Sequence, residues 1–342
     1  MPRIQTVSNV DPARWNATVQ GCHGTIFHAA EWGAYAQREQ PSIVPTYYTL
    51  VDDREEVAAV ALGFRVISSR RMVAPFSGRR WLDALPAVRD GNPATTLEMV
   101  RLIECHARDT GDVSLHVGSF ASPASESVLA PIGFTLARRI EFELDLTMEE
   151  RDLWEKIDRR RRQKIKKAMK SGVVVRELPA REGAQHLRRL QAASFERISA
   201  RGGPTLSNRV SRHEDPIEPL IRAGFGRVIG GFLGDVCVSA SFFSVFNGLA
   251  YQTLSGHDAK ALETEAPSLG LWEALVGFRS EGITHMNLGG CGIDASEESS
   301  PEHGVYAYKK AFGGAQLACA SGGKILRPLI NRVMRTLGRS AS

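Results

Sequence analysis

No stretch of about 18 consecutive apolar residues occurs in this chain, so nothing in it predicts a membrane-spanning helix. Residues 1–10 lack the apolar core of a signal peptide. The 5 cysteines (Cys22, Cys105, Cys237, Cys291, Cys319) are odd in number, widely spread and never arranged CxxC. That pattern fits a reduced, intracellular protein with incidental buried thiols, and with the two absences above the expected location is cytoplasmic. His23 and His28 have no third ligand near them in sequence, so no metal site is expected. There is no GxSxG and no recognisable catalytic Cys-His set. Gly224-Phe225-Gly226 with Gly230 follows a helical pattern and precedes a strand, the reverse of the dinucleotide-binding order, and Gly322-Gly323-Lys324 lacks the Ser/Thr of a phosphate loop. Low-complexity linkers and short-period repeats are also missing.

What is present reads as a mixed α/β protein. A length of 342 residues predicts two domains, and 43% hydrophobic with 24% charged residues predicts globular ones. The net charge of +5 is compatible with a phosphate-bearing partner and equally with an Arg-rich surface. Asp11-Pro12 and Asn92-Pro93 are N-cap and first-turn pairs, opening helices over 11–19 and 94–110. A further helix over 29–38 carries Trp32 and Tyr35 on one face. Residues 46–51 and 57–66 alternate as paired strands, 113–117 and 139–146 are strands, and 129–134 is a short helix closed by Gly133. A strongly charged helix is predicted over 153–170, capped by Gly172, then a strand over 173–177 and helices over 184–198 and 216–223. Residues 227–233, 236–246 and 249–255 form a meander with Asn247-Gly248 as its sharpest hairpin turn. A helix from Pro267 to Glu281, a strand over 284–288 and a basic amphipathic tail over 324–339 complete the pattern. The expected domains are 1–147, with 318–342 docked on it, and 148–317.

The densest local signal is Tyr306-Ala307-Tyr308-Lys309-Lys310-Ala311-Phe312-Gly313-Gly314, delivered by the strand ending in Gly289-Gly290. A lysine among aromatics supplies a fixed positive charge where water is scarce, as acyl transfer requires of its oxyanion. Read as an extended segment, it points Lys309 and Lys310 opposite ways, so only Lys309 is expected to face the site.

Several motifs in order resemble the Fem-type aminoacyl transferases and related acyltransferases with two tandem GNAT-like domains. They are Leu153-Trp154-Glu155-Lys156-Ile157 through Arg162, Ile165 and Lys167-Ala168; Leu129-Ala130-Pro131-Ile132-Gly133-Phe134 with Phe142-Glu143-Leu144-Asp145-Leu146; Pro267-Ser268-Leu269 with Leu271-Trp272-Glu273-Ala274 and Asn287-Leu288-Gly289-Gly290; and Tyr308-Lys309-Lys310-Ala311-Phe312-Gly313. The chain departs from the peptidoglycan enzymes at Ala36, four places after Trp32, where they often carry a basic residue. It also lacks the coiled-coil insertion of some members. The resemblance implies transfer of an acyl or aminoacyl group to an amine of a cell-envelope precursor, peptidoglycan or surface polysaccharide. It implies no bound cofactor, with aminoacyl-tRNA or acyl-CoA as the co-substrate donor.

Within that expectation Lys309 and Tyr251 are the catalytic candidates. Tyr308, Asp83 and the arginines Arg201, Arg209 and Arg212 of a Gly/Pro/Ser-rich loop are the substrate-binding ones. Against each stands a plainer reading: solvated lysines, a half-buried core tyrosine, a surface loop. His257 and Asp258 are proton-acceptor candidates or turn formers. The basic helix (156–170) is a candidate contact for tRNA, a nucleotide sugar or an anionic membrane face. The tail (324–339) either lies on the inner face of a membrane or docks on the first domain. Glu263 and Glu265, where ordinary acetyl-CoA enzymes place a Gly-rich pyrophosphate loop, are expected to repel one. A CoA-dependent N-acyltransferase and a non-catalytic anion-binding scaffold are the alternative functions.

Overall fold

The computed structural model describes residues 3–69, 73–200, 216–330 and 332. The chain divides into two compact units, Met1–Arg139 with Ala318–Ser342, and Ile140–Leu317. The division falls before the expected 147, because Phe142, Leu144 and Leu146 pack in the core of the second unit.

Unit 1 begins with β1 (Arg3–Val7), α1 (Pro12–Gly21), α2 (Ala30–Glu39), β2 (Ile43–Val51), β3 (Val57–Val66), β4 (Arg79–Leu82) and β5 (Ala87–Val88). It continues with α3 (Pro93–Asp109), β6 (Ser114–Val117) and α4 (Ser125–Leu129). Asp11 and Asn92 cap α1 and α3 through their side chains, as their Pro-flanked positions predict. The strands run β1-β2-β3-β4-β6, with β5 on β3. β4 and β6 are parallel, with Leu82 opposite Val117, while β1-β2, β2-β3 and β3-β4 are antiparallel. Apolar residues of α3 (Met99, Val100, Ile103, Ala107) pack on Tyr48, Leu50, Leu82 and Leu115 to make the core. Under it lies an ion cluster: Asp112 is fully buried and accepts from Arg80 Nε at 2.7 Å and Arg65 Nε at 2.6 Å.

Unit 2 takes β7 (Thr135–Asp145) from Ile140 on, then α5 (Glu150–Lys156), α6 (Arg159–Lys170), β8 (Val173–Leu178), α7 (Ala180–Ala200) and α8 (Ile217–Arg222). It goes on through β9 (Gly226–Leu233), β10 (Val236–Phe246), β11 (Leu249–His257), α9 (Ala259–Thr264), α10 (Ala266–Ser280), β12 (His285–Gly292) and α11 (His303–Lys310). The strand order is β7-β12-β11-β10-β9-β8. The meander β9-β10-β11 is antiparallel, and Asn247 and Gly248 take φ of 50° and 76° in the tight turn that their sequence demands. β11 and β12 are parallel.

Three local expectations are corrected. The charged helix expected over 153–170 is two helices: Ile157 turns extended, and Asp158 caps α6 by accepting from Arg160 N at 2.8 Å. The break is set by packing, since Asp158 N donates to Ala311 O at 2.8 Å. The aromatic-lysine segment is the helix α11, not an extended chain, so Lys309 and Lys310 are separated by helical rather than strand geometry. The tail begins as a strand: β13 (Ala315–Ile325) pairs Gly322 with Val117 of β6. From Ala318 on β13 belongs to unit 1, where Leu326 is buried in the core and Lys324 Nζ donates to Glu104 Oε2 at 2.7 Å. Leu329 is exposed, and of residues 331–342 only Arg332 is described.

Candidate active site

In unit 2 the parallel pairing of β11 and β12 runs Leu249↔His285, Ala250↔Met286, Tyr251↔Asn287 and stops there. Both strands continue, to His257 and to Gly292. The chain bends at Gly289, whose φ of +69° is the left-handed conformation a side chain disfavours. Asn287 holds the bend by accepting from Gly289 N at 2.7 Å through Oδ1.

A buried polar network lies under this opening. Glu141 of β7 and Asn287 are fully buried, and Tyr251 is nearly so. Tyr251 Oη donates to Glu141 Oε1 at 2.8 Å, and Asn287 Nδ2 donates to Glu141 Oε2 at 2.9 Å. Each side-chain oxygen of Glu141 thus has a hydrogen-bond partner, as a buried polar group requires. Glu143, next on the same face of β7, is half-buried and its carboxyl is pushed up, chiefly by desolvation.

Lys309, in the last turn of α11, reaches the bend. Its Nζ donates to Gly290 O at 3.2 Å. A Cβ built at Gly289 would sit 3.4 Å from Lys309 Nζ and 3.7 Å from Tyr251 Cε1. The structure therefore brings Lys309 and Tyr251 together across a glycine, at the place where the parallel strands part. Lys309 can act there as a positive charge for an oxyanion or a leaving group; Tyr251 is positioned by Glu141. Gly313, just past α11, has φ +81°, and a Cβ there would lie 2.5 Å from Lys156 O, so this turn admits only glycine without rearrangement.

Tyr308 goes elsewhere. Its Oη donates to Pro267 O at 3.0 Å, its ring carries the Arg161 guanidinium at 4.5 Å, and burial pushes its hydroxyl pKa up. Arg161 also donates to Ser268 Oγ at 2.9 Å at the start of α10. Glu265, the residue before α10, pairs with Lys164 at 2.8 Å and lies 3.9 Å from Arg161. The expected repulsion by carboxylates is thus offset at Glu265, whose own side chain supplies the anion beside these two cations.

Asp258 is a helix cap, accepting from Ala261 N at 3.0 Å. His257 is held down to about 4, by desolvation first and then by Arg197, so it is neutral at pH 7. Arg201, Arg209 and Arg212 lie outside the described residues. No group of His, Cys, Asp and Glu that would hold a metal occurs among the described residues.

Asp83 belongs to unit 1, immediately after β4. Its Oδ2 accepts from Trp32 Nε1 at 2.8 Å, and the Trp81 indole donates toward it as well. Tyr35 stacks on Trp32 with ring centroids 4.7 Å apart. Desolvation raises the Asp83 pKa, and the two indoles oppose the shift. A carboxyl with a raised folded pKa holds its proton more tightly folded than unfolded. Its contribution to stability is full below the unfolded pKa and is lost as pH rises through the folded one. Asp83→Asn is therefore expected to gain stability relative to the parent between about pH 3 and pH 7. Thermal melts of both proteins at the two ends of that range check this; a constant difference refutes it.

The residues missed in the sequence are Glu141, Asn287 and Arg161. Glu141 alternates with Phe142, Leu144 and Leu146, so its pattern matches that of the more accessible Glu143 and Asp145. Only the neighbouring strands show it buried. Asn287 carried a weak signal, an amide in an apolar run before Gly-Gly.

The two units have the fold of tandem GNAT-like acyltransferases, the fold that the sequence resemblance implied. A crystal structure of FemX superposes on the chain with a TM-score of 0.76 at 13% identity, covering 96% of this chain and 99% of that one. The structure of L-PGS from Bacillus licheniformis gives 0.56 at 12% identity, covering 95% and 96%. A tandem GNAT protein from the clavulanic acid biosynthesis pathway gives 0.51 at 12% identity, covering 95% and 99%. No family model matches the chain, and no curated protein matches it.

Proposed function

We propose that this protein is an acyltransferase that moves an acyl or aminoacyl group onto an amine of a cell-envelope precursor. The observation that carries the reading is the Lys309 ammonium held at the parting of β11 and β12, on the fold shared with FemX. The amine attacks the donor's carbonyl carbon and a tetrahedral oxyanion forms. The C–O or C–S bond to the leaving group then breaks, and the amine's proton ends on the leaving group or on solvent. Lys309 stabilises the negative charge that develops on the oxyanion or the leaving group, and the Tyr251–Glu141–Asn287 network fixes the strands around it. Asp83 and the arginines at 201, 209 and 212 are the substrate-binding candidates. The acceptor is a peptidoglycan precursor or a surface polysaccharide.

For the donor, aminoacyl-tRNA is favoured over acyl-CoA by one feature. The Glu265 carboxylate occupies the cationic corner made by Lys164 and Arg161 at the start of α10, so a pyrophosphate would have to displace it. Acyl-CoA-dependent N-acylation is the second reading, and the α6 cations near that corner are what favour it.

The test is to supply labelled aminoacyl-tRNA and labelled acyl-CoA separately, each with an extract of envelope precursors, and to count label transferred. Transfer from tRNA alone supports the first reading, and transfer from acyl-CoA alone the second. Label from neither, with an extract that a known transferase can use, leaves an anion-binding scaffold on this fold.

A further inference from the structure

α6 carries far more positive charge than its neighbours neutralise. Arg161 and Lys164 reach Glu265, but among the described residues no ion pair engages Arg159, Arg160, Arg162, Lys166, Lys167 or Lys170. The favourable interaction of cations with a helix C-terminus accounts for only the last turn of them.

Beside these cations is an open groove of about 550 Å³, lined by Glu150, Arg151, Trp154, Lys166, Met169 and Trp272. Its apolar wall comes from separate elements: Trp154 of α5 meets Trp272 of α10 edge to face, with centroids 4.9 Å apart and planes at 66°. Met169, on α6, is 46% exposed. Glu150 is the one acid on the lining; Arg151 there is paired with Glu155 at 3.0 Å, and the cations without an ion pair among the described residues are those of α6, Lys166 on the lining among them. An exposed apolar strip inside a field of uncompensated lysines and arginines suits a partner that is apolar and anionic at once.

We propose that the α5–α6 face docks on an anionic lipid bilayer. Trp154 and Met169 enter the boundary between headgroups and acyl chains, and Lys166, Lys167 and Lys170 lie on the headgroup phosphates. Trp is at home at that depth, and lysines extend toward the phosphates from an apolar stem. A single-stranded nucleic acid would also meet the charge, but it needs an open aromatic face on which bases stack. Here the Lys166 ammonium stands 5.9 Å over the Trp154 ring and Trp272 meets that ring edge to face, while the most exposed apolar group is a thioether. The inference does not depend on the proposed transfer reaction.

The full-length protein is sedimented with vesicles of phosphatidylcholine alone and of phosphatidylcholine with about 30% phosphatidylglycerol, at low and high salt. Binding is expected only with the anionic lipid, weakening as salt rises. Each lysine is expected to contribute roughly fivefold, so Lys166→Gln/Lys167→Gln/Lys170→Gln lowers the partition coefficient by about 100-fold. Met169→Asp lowers it by about tenfold or more. All four positions are exposed, and unchanged melting curves show that the variants fold. Binding that survives the triple substitution overturns the proposal. So does loss with the lysine variant but none with Met169→Asp, which would make the contact purely electrostatic. Retention of tRNA without any vesicle binding overturns it in favour of a nucleic-acid surface.

Discussion

Replacing Lys309 with alanine is expected to lower the turnover rate of acyl transfer by about 100- to 1,000-fold. The loss should fall on kcat rather than KM, because a charge that meets the developing oxyanion or leaving group is worth most in the transition state. Stability should change little. Lys309 lies in the last turn of α11, is only partly buried, and donates to a backbone carbonyl, Gly290 O. Tyr308→Phe is the informative neighbour. It removes a hydroxyl that donates to Pro267 O, away from the bend at Gly289, so its kcat effect should be far smaller. Single-turnover rates of the two variants decide the matter. Wild-type transfer by Lys309→Ala would sink the assignment, and equal losses in the two would make the segment structural.

The second large effect is on stability. Asp112→Ala is expected to cost roughly 3–5 kcal/mol, because it strips the anion from a buried cluster and leaves its cations behind. Arg80 is 2% exposed and donates from Nε to Asp112 and from Nη1 to Tyr48 Oη at 2.5 Å, so removing Asp112 leaves a buried guanidinium without its anion. Tyr48, its hydroxyl pushed up to about 12 mainly by burial, stays protonated and cannot replace the charge. For a unit of this size such a cost lowers the melting temperature by about 6–20 °C. Arg80→Met should cost less, since Asp112 keeps Arg65 at 2.6 Å. Denaturant titrations of both variants test the order. A loss under about 1 kcal/mol for Asp112→Ala would show that water reaches the cluster.

Much of the fold was legible because its signals are local. Asp11-Pro12 and Asn92-Pro93 start helices through a side chain reaching its own backbone a few residues on. Asn247-Gly248 makes a hairpin because both residues tolerate positive φ. The helical spacing of Leu97, Val100, Ile103 and Ala107 reports which face of α3 is buried, whereas β3, expected to alternate, is buried on both faces from Ala59 to Phe64. The order of the Trp154, Pro267 and Lys309 motifs carried the resemblance to the tandem acyltransferases, and with it Lys309 itself.

What the sequence alone determined, then, is most of the elements and the class of fold, each written in residues within a turn or two of one another; it also offered Lys309 as a candidate. Tertiary structure decided the rest, because it rests on groups far apart in the chain. Glu141 is buried through Tyr251 and Asn287 on other strands, where its own alternation resembles that of its more accessible neighbours. The break between α5 and α6 follows from Asp158 N bonding Ala311 O. Tyr308 is turned to Pro267 and Arg161, and Trp154 finds Trp272 beside α6. Local preference is worth tenths of a kcal/mol per residue, and a buried charge or a lost core contact several, so packing prevails wherever the two disagree.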